Sequence, residues 1–173
     1  MLSSENYWVL VDYPLSQKAV KDATNHQLEY EWWYADTVLQ DAIEVSPLWV
    51  RTTNEHLNFK QEYHLSPAFT TYSNDEEFLQ HVKSLCIMKD PTGKPFVIRF
   101  YEADYLAKWV AKLSEERLAE LLGPIEEINW LFRGKEEKLL NPSPKNSSSQ
   151  KEIAWFKLTE PEWKMLTSAF PPS

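Results

Sequence analysis

A single compact α/β domain, with a mixed sheet flanked by helices, is the fold this sequence predicts, and three observations predict it. The chain has 173 residues, enough for one domain with a sizeable core. Hydrophobic residues at 43% and charged residues at 25% give an ordinary globular balance, which excludes wholesale disorder. Stretches of period two alternate with stretches of helical spacing, so strands and helices intermingle around one sheet.

Tyr7–Val11 is a short apolar run of β-branched and aromatic residues, read as a buried strand, with Pro14 soon after it. Ser16 is placed to cap a helix over 17–25. Leu28, Tyr30, Trp32 and Tyr34 alternate with Glu29, Glu31 and Trp33, which predicts a strand over 28–34. Thr37 opens a short helix through Ile43, and 47–52 and 68–72 read as further strands. Asn74 with Glu77 three residues on is a capping-box start, and Phe78, Val82 and Leu85 form one stripe. Asp90-Pro91-Thr92-Gly93 is turn chemistry, so 86–89 and 95–101 form a hairpin. Leu106, Trp109, Val110 and Leu113 mark a helical face. Ser114 starts another helix, with Leu118, Leu121 and Leu122 inward, that Gly123-Pro124 stops. Strands are expected at 129–133 and 153–158, and a flexible Pro-, Ser-, Lys- and Asn-rich loop at about 142–150. Thr159 and Glu162 box the last helix, with Trp163, Leu166 and Phe170 on one face.

The net charge is −8, which argues against nucleic acid or an anionic membrane as the main partner. All of it lies in residues 1–90, with six Lys/Arg against fourteen Asp/Glu; residues 91–173 balance at twelve each. This distribution reads as solvated acidic faces, or as one acidic surface that steers a partner. Gly93, Gly123 and Gly134 are the only glycines and are too far apart for a phosphate-cradling loop, so P-loop and dinucleotide cofactors are excluded. The lone Cys86 excludes an internal disulfide framework and a multi-cysteine zinc site. The N-terminus lacks a signal-peptide pattern and no aliphatic run approaches ~18 residues, so a cytoplasmic protein is expected.

No candidate constellation carries chemistry well. His56 and His64, with Glu55 and Glu62 nearby, have no metal-ligand spacing. Cys86 and His81, five apart, lie about 140° apart around a helix, and Cys86 sits in an apolar run that suits an inert thiol. The carboxylate pairs Glu102/Asp104, Glu115/Glu116, Glu126/Glu127 and Glu136/Glu137 lie in polar stretches. A non-enzyme is therefore expected, with no cofactor and no metal. Eight Trp, eight Tyr and eight Phe are a stronger clue, because Trp and Tyr serve interfaces as well as cores. In a strand over 28–34, Trp33 shares a face with Glu29 and Glu31. Either a helix covers that face, or the three residues meet a partner.

Phe96-Val97-Ile98-Arg99-Phe100-Tyr101-Glu102, an amphipathic helix, then Gly123-Pro124-Ile125 and Trp130 make an ordered series. It resembles the effector-adaptor (effector-chaperone) family of bacterial type VI secretion, with its "FRFYDP"-like strand, leucine-rich helix pair and glycine-proline stop. Tyr7–Asp12 is similar to that family's opening strand, and Tyr34–Thr37 and Pro47–Val50 to its next turn and strand. Glu102-Ala103 stands where the family often has Asp-Pro, and the longer C-terminal lobe of many members is missing here. The resemblance implies a cytoplasmic adaptor that holds a secreted effector and helps load it onto a VgrG spike protein. It makes Arg99, Tyr101, Glu102, Gly123 and Pro124 motif residues, none of them catalytic. For Arg99, between Ile98 and Phe100, pairing with an acidic residue within the fold is favoured over partner contact. The alternatives are an immunity-type toxin-binding protein and a small hydrolase.

Overall fold

The computed structural model describes residues 5–53, 57–145 and 151–171. Alternating side chains decide its frame. In β1 (Asn6–Val11), Trp8 and Leu10 are buried on one face and Val9 and Val11 on the other, so this strand is central and covered on both sides. β2 (Tyr30–Trp32), β3 (Leu48–Thr52) and β4 (Ala68–Thr71) build outward from it; Val9 stands opposite both Val50 and Ala68. β5 (Ile87–Lys89) and β6 (Pro95–Val97) pair apart as a hairpin. β7 (Ile125–Phe132) and β8 (Lys135–Leu140) complete the main sheet, in the order β2-β3-β1-β4-β7-β8, with every pairing antiparallel.

Helices cover both faces. α1 (Ser16–Asn25) and α2 (Leu57–Glu62) lie over β1 and β3, where Ala19, Ala23, Phe59 and Tyr63 meet Val9, Val11, Leu48 and Val50. The opposite face carries the larger core. There α3 (Asp75–Lys83), α4 (Ala103–Lys108), α5 (Glu115–Leu122) and α6 (Glu160–Ala169) bring Phe78, Leu106, Leu121 and Leu166 against Trp8, Trp49, Phe69 and Ile128. The predicted caps form: the Asn74, Ser114 and Thr159 side chains accept the Glu77, Arg117 and Glu162 amides, and Thr159–Glu162 is a full capping box.

Arg117 of α5 clamps the C-terminal segment. Its Nε and Nη2 donate to Glu162 at 2.8 and 3.1 Å, Nη2 also donates to the Lys157 carbonyl at 2.7 Å, and the guanidinium stacks 4.2 Å from the Phe156 ring. That pairing lowers the Glu162 pKa against the opposing cost of its burial.

Several elements depart from expectation. Only Tyr30–Trp32 of 28–34 pairs as strand, because the chain turns at 33–36, where Asp36 takes a positive φ. Ser16 is the first helical residue and is buried; Leu15 holds the cap position without a side-chain bond. Thr37 accepts from the Leu39 amide in a turn, and the following helix is a 3₁₀ segment at Gln40–Val45. The 95–101 strand ends at Val97. The helix over 106–113 breaks at Trp109 into a 3₁₀ turn, with all four predicted inward residues buried. Segment 153–158 is irregular, with Ala154 at positive φ. It touches the hairpin through one parallel bridge, Lys89 to Lys157. β8 is an element the sequence reading omits. Of the loop expected at 142–150, residues 146–150 lie outside the described residues, and 142–145 form neither helix nor strand.

Candidate functional site

Motif residues far apart in the chain converge. β1 leaves the sheet at Asp12, and the segment after β6 brings Arg99, Tyr101 and Glu102 to it. Arg99 Nη1 donates to Asp12 Oδ2 at 3.0 Å and to Glu102 Oε1 at 3.4 Å, and the Tyr101 hydroxyl donates to Asp12 Oδ1 at 3.2 Å. Ile98 and Phe100 are buried on either side while Arg99 is half-buried, so the alternation read for a strand persists without strand pairing. Burial, and next the Asp12 charge, push the Tyr101 hydroxyl pKa up, so it stays a hydrogen-bond donor at neutral pH. Two carboxylates share one guanidinium here, leaving net negative charge.

A cleft opens beside this junction. Asp12, Tyr101 and Glu102 line it together with two turns, Tyr13-Pro14-Leu15 and Leu65-Ser66-Pro67. The Pro67 carbonyl accepts from the Leu10 amide at 3.1 Å, which fastens the second turn to β1. Tyr13, Leu15 and Leu65 stand 43%, 52% and 73% exposed. Sequence reading missed this rim, although a signal was present. Leu15 and Leu65 sit next to Pro14 and Ser66-Pro67, in turns that belong to no periodic apolar face.

Gly123-Pro124 proves to be a corner tied by side chains. Asn141 Nδ2 donates to the carbonyls of Gly123 and Ile125 at 3.0 and 2.8 Å, and Thr71 Oγ1 donates to that of Pro124 at 2.6 Å. His81 Nε2 lies 2.7 Å from the Leu121 carbonyl; an oxygen there can only accept, so Nε2 carries the proton. Burial holds the His81 pKa down to about 4. Gly123 has φ +53°, and a Cβ there would sit 2.4 Å from His81 Cε1, so both backbone and neighbour require glycine.

The three residues proposed for partner contact fare differently. Trp33 is 2% exposed, its indole donating to the Val82 carbonyl at 2.7 Å, so it is core and offers a partner no surface. α3 covers the face that Trp33 shares with Glu31, the first of the two alternatives read from the sequence: Trp33 meets Val82 and Glu31 meets Lys83, both of α3. Glu29 is exposed beside Arg51 at 3.7 Å, and Glu31 pairs with Lys83 at 3.4 Å. Five of the eight tryptophans are buried, so the aromatic load chiefly builds core. Cys86 is buried, which pushes its thiol up to about 12. His64 is exposed with Nδ1 at 3.1 Å from the Gln61 carbonyl, and His56 lies outside the described residues. Among the described residues, no group of three or more His, Cys, Asp or Glu side chains could hold a metal ion, and no helix is long and apolar enough to cross a membrane.

A family model described as "Domain of unknown function (DUF4123)" matches residues 7–120, about two thirds of the chain. No curated protein and no solved structure matches it significantly.

Proposed function

The chain belongs to the DUF4123 domain family, and from that premise we propose that it is a type VI secretion adaptor that binds a cognate effector and helps load it onto a VgrG spike. The observation that carries the proposal is the convergence of Asp12, Arg99, Tyr101 and Glu102 beside an exposed apolar rim. These four are among the residues on which the resemblance to effector adaptors rests, and they lie within the matched residues 7–120. Their ion pair and hydrogen bonds hold a docking surface in shape, a role that needs no turnover. The work is therefore binding, in the cytoplasm, without a cofactor.

The size of the molecule allows two partners. Its surface is 9953 Å², and two standard interfaces of ~800 Å² each occupy under a fifth of it. Rim charges set association rate and its salt dependence, and apolar anchors set dissociation. With the net charge of −8 confined to residues 1–90, association with a basic effector surface slows as salt rises.

Co-expression with the effector encoded beside its gene, with and without the neighbouring spike protein, followed by size exclusion, tests this. A stoichiometric complex with an undigested, chemically unaltered effector is expected. Co-elution with neither protein overturns the adaptor reading, and salt-independent association overturns only the steering.

A further inference from the structure

We infer that the cleft between the Tyr13-Pro14-Leu15 and Leu65-Ser66-Pro67 turns is the effector-docking site, and that it takes a segment presenting apolar side chains next to a lysine or arginine. This inference rests on the adaptor reading and adds the surface and the chemistry of the partner. Tyr13, Leu15 and Leu65 together expose on the order of 300 Å² of largely apolar surface, the size at which a patch on a monomer is commonly functional. Three large side chains in two short turns gain nothing for the fold by standing in water. Both turns are held from behind, one by the Leu10–Pro67 hydrogen bond and the other by the Asp12 cluster. A rigid rim loses little entropy when a partner docks.

Charge selects the occupant. The charged groups lining the cleft are the carboxylates of Asp12 and Glu102, beside the phenols of Tyr13 and Tyr101. Arg99 reaches both, closely at Asp12 and loosely at Glu102, so one negative charge is left over, nearest Glu102. A cationic side chain completes that balance beside the apolar contacts. A second copy of this chain does not: docking cleft to cleft brings Glu102 against Glu102 between two molecules of net charge −8.

The test uses the full chain and the co-expressed neighbouring effector. Leu15→Ser/Leu65→Ser changes only exposed side chains, so an unaltered melting curve certifies its fold. It weakens effector binding about tenfold or more. Glu102→Gln weakens it about threefold and lessens the salt dependence of association. If the effector co-elutes equally with the wild type and both variants, the cleft is wrong and the adaptor reading stands. If the effector fails to bind the wild type, the adaptor reading falls, and a phage-displayed peptide library decides the cleft by itself. Enriched peptides that pair apolar residues with Lys or Arg and are lost on the double variant uphold it. Acidic peptides, no enrichment, or binding indifferent to the variant overturn it. A dimer seen by analytical ultracentrifugation and abolished by Leu15→Ser/Leu65→Ser overturns it too, by naming a second copy as the occupant.

Discussion

On one face of the main sheet the core draws on the chain from Trp8 to Leu166; on the other it is assembled from Val9 to Tyr63. The first face is thick, with Trp8, Trp33, Trp49, Trp109 and Trp130 buried beneath four helices, the hairpin and the C-terminal segment. The second is thin: α1 approaches through Ala19 and Ala23, which lets its axis sit close to the sheet. Leu15 lies at the start of α1 and Leu65 just after α2, so the apolar rim stands at the mouth of the thin layer. The difference separates two tasks: the thick face carries most of the stability, and the proposed docking cleft lies at the end of β1, with Leu10 and Tyr101 of the thick face in its lining and the turns flanking α1 and α2 as its rim.

The largest expected effect breaks the thick face. Trp49 is fully buried against Trp33, Phe69 and Phe78, at ring distances of 5.7, 4.9 and 5.2 Å. Trp49→Ala costs about 4 kcal/mol in urea unfolding. Next comes Gly123→Ala, at about 3 kcal/mol, from the positive φ and the collision with His81. Part of that loss returns in a His81→Ala background, and a double-mutant cycle with no coupling would refute the contact.

A pH scan sharpens the comparison further. Unfolded His81 takes up its proton near 6.5, whereas burial holds the folded group at about 4. The unfolded state thus binds more protons between these values. Stability from this group is complete above 6.5 and is lost as pH falls, by about 2 kcal/mol from pH 7 to pH 5. His81→Gln, which keeps a donor for the Leu121 carbonyl, flattens that part of the slope relative to wild type.

The smallest effect lies in the thin layer. Tyr63 donates to Asp22 at 2.5 Å, and burial with that bond pushes the phenol up to about 12. Tyr63→Phe costs about 1 kcal/mol. A loss as large as that of Trp49→Ala would mean the two faces share the stability more equally.

What the sequence disclosed follows this division. Caps were legible because they are local: Asn74, Ser114 and Thr159 each act within three residues. The α/β class and the central strands were legible because β1 and β3 are apolar on both faces. β8 was hidden because Lys135-Glu136-Glu137-Lys138 is an exposed edge with only Leu139 inward; its one mark is Arg133-Gly134, both at positive φ, as a two-residue hairpin turn demands. Segment 153–158 looked like a strand because Ala154, Phe156 and Leu158 alternate inward, yet burial without a ladder satisfies the same pattern. Trp33 was read as either covered by a helix or open to a partner; the cover is α3, and naming it required a contact across 49 positions, from the indole to the Val82 carbonyl. At the junction of β1 with the segment after β6, Arg99 was read as seeking an acid, but naming Asp12 required a contact across 87 positions.

The C-terminal segment that Arg117 clamps sets a timetable for synthesis. Phe156, Leu158 and Leu166 close the thick face, whereas every buried residue of the thin layer has been made by Tyr63. At 5–20 residues per second a ribosome needs roughly 5–20 s to travel from one to the other. Through that interval the indoles of Trp8, Trp33 and Trp49 have been translated but lack their last cover. The nascent chain therefore presents its most adhesive surface before it can finish folding, and holdase chaperones have their opportunity in that window.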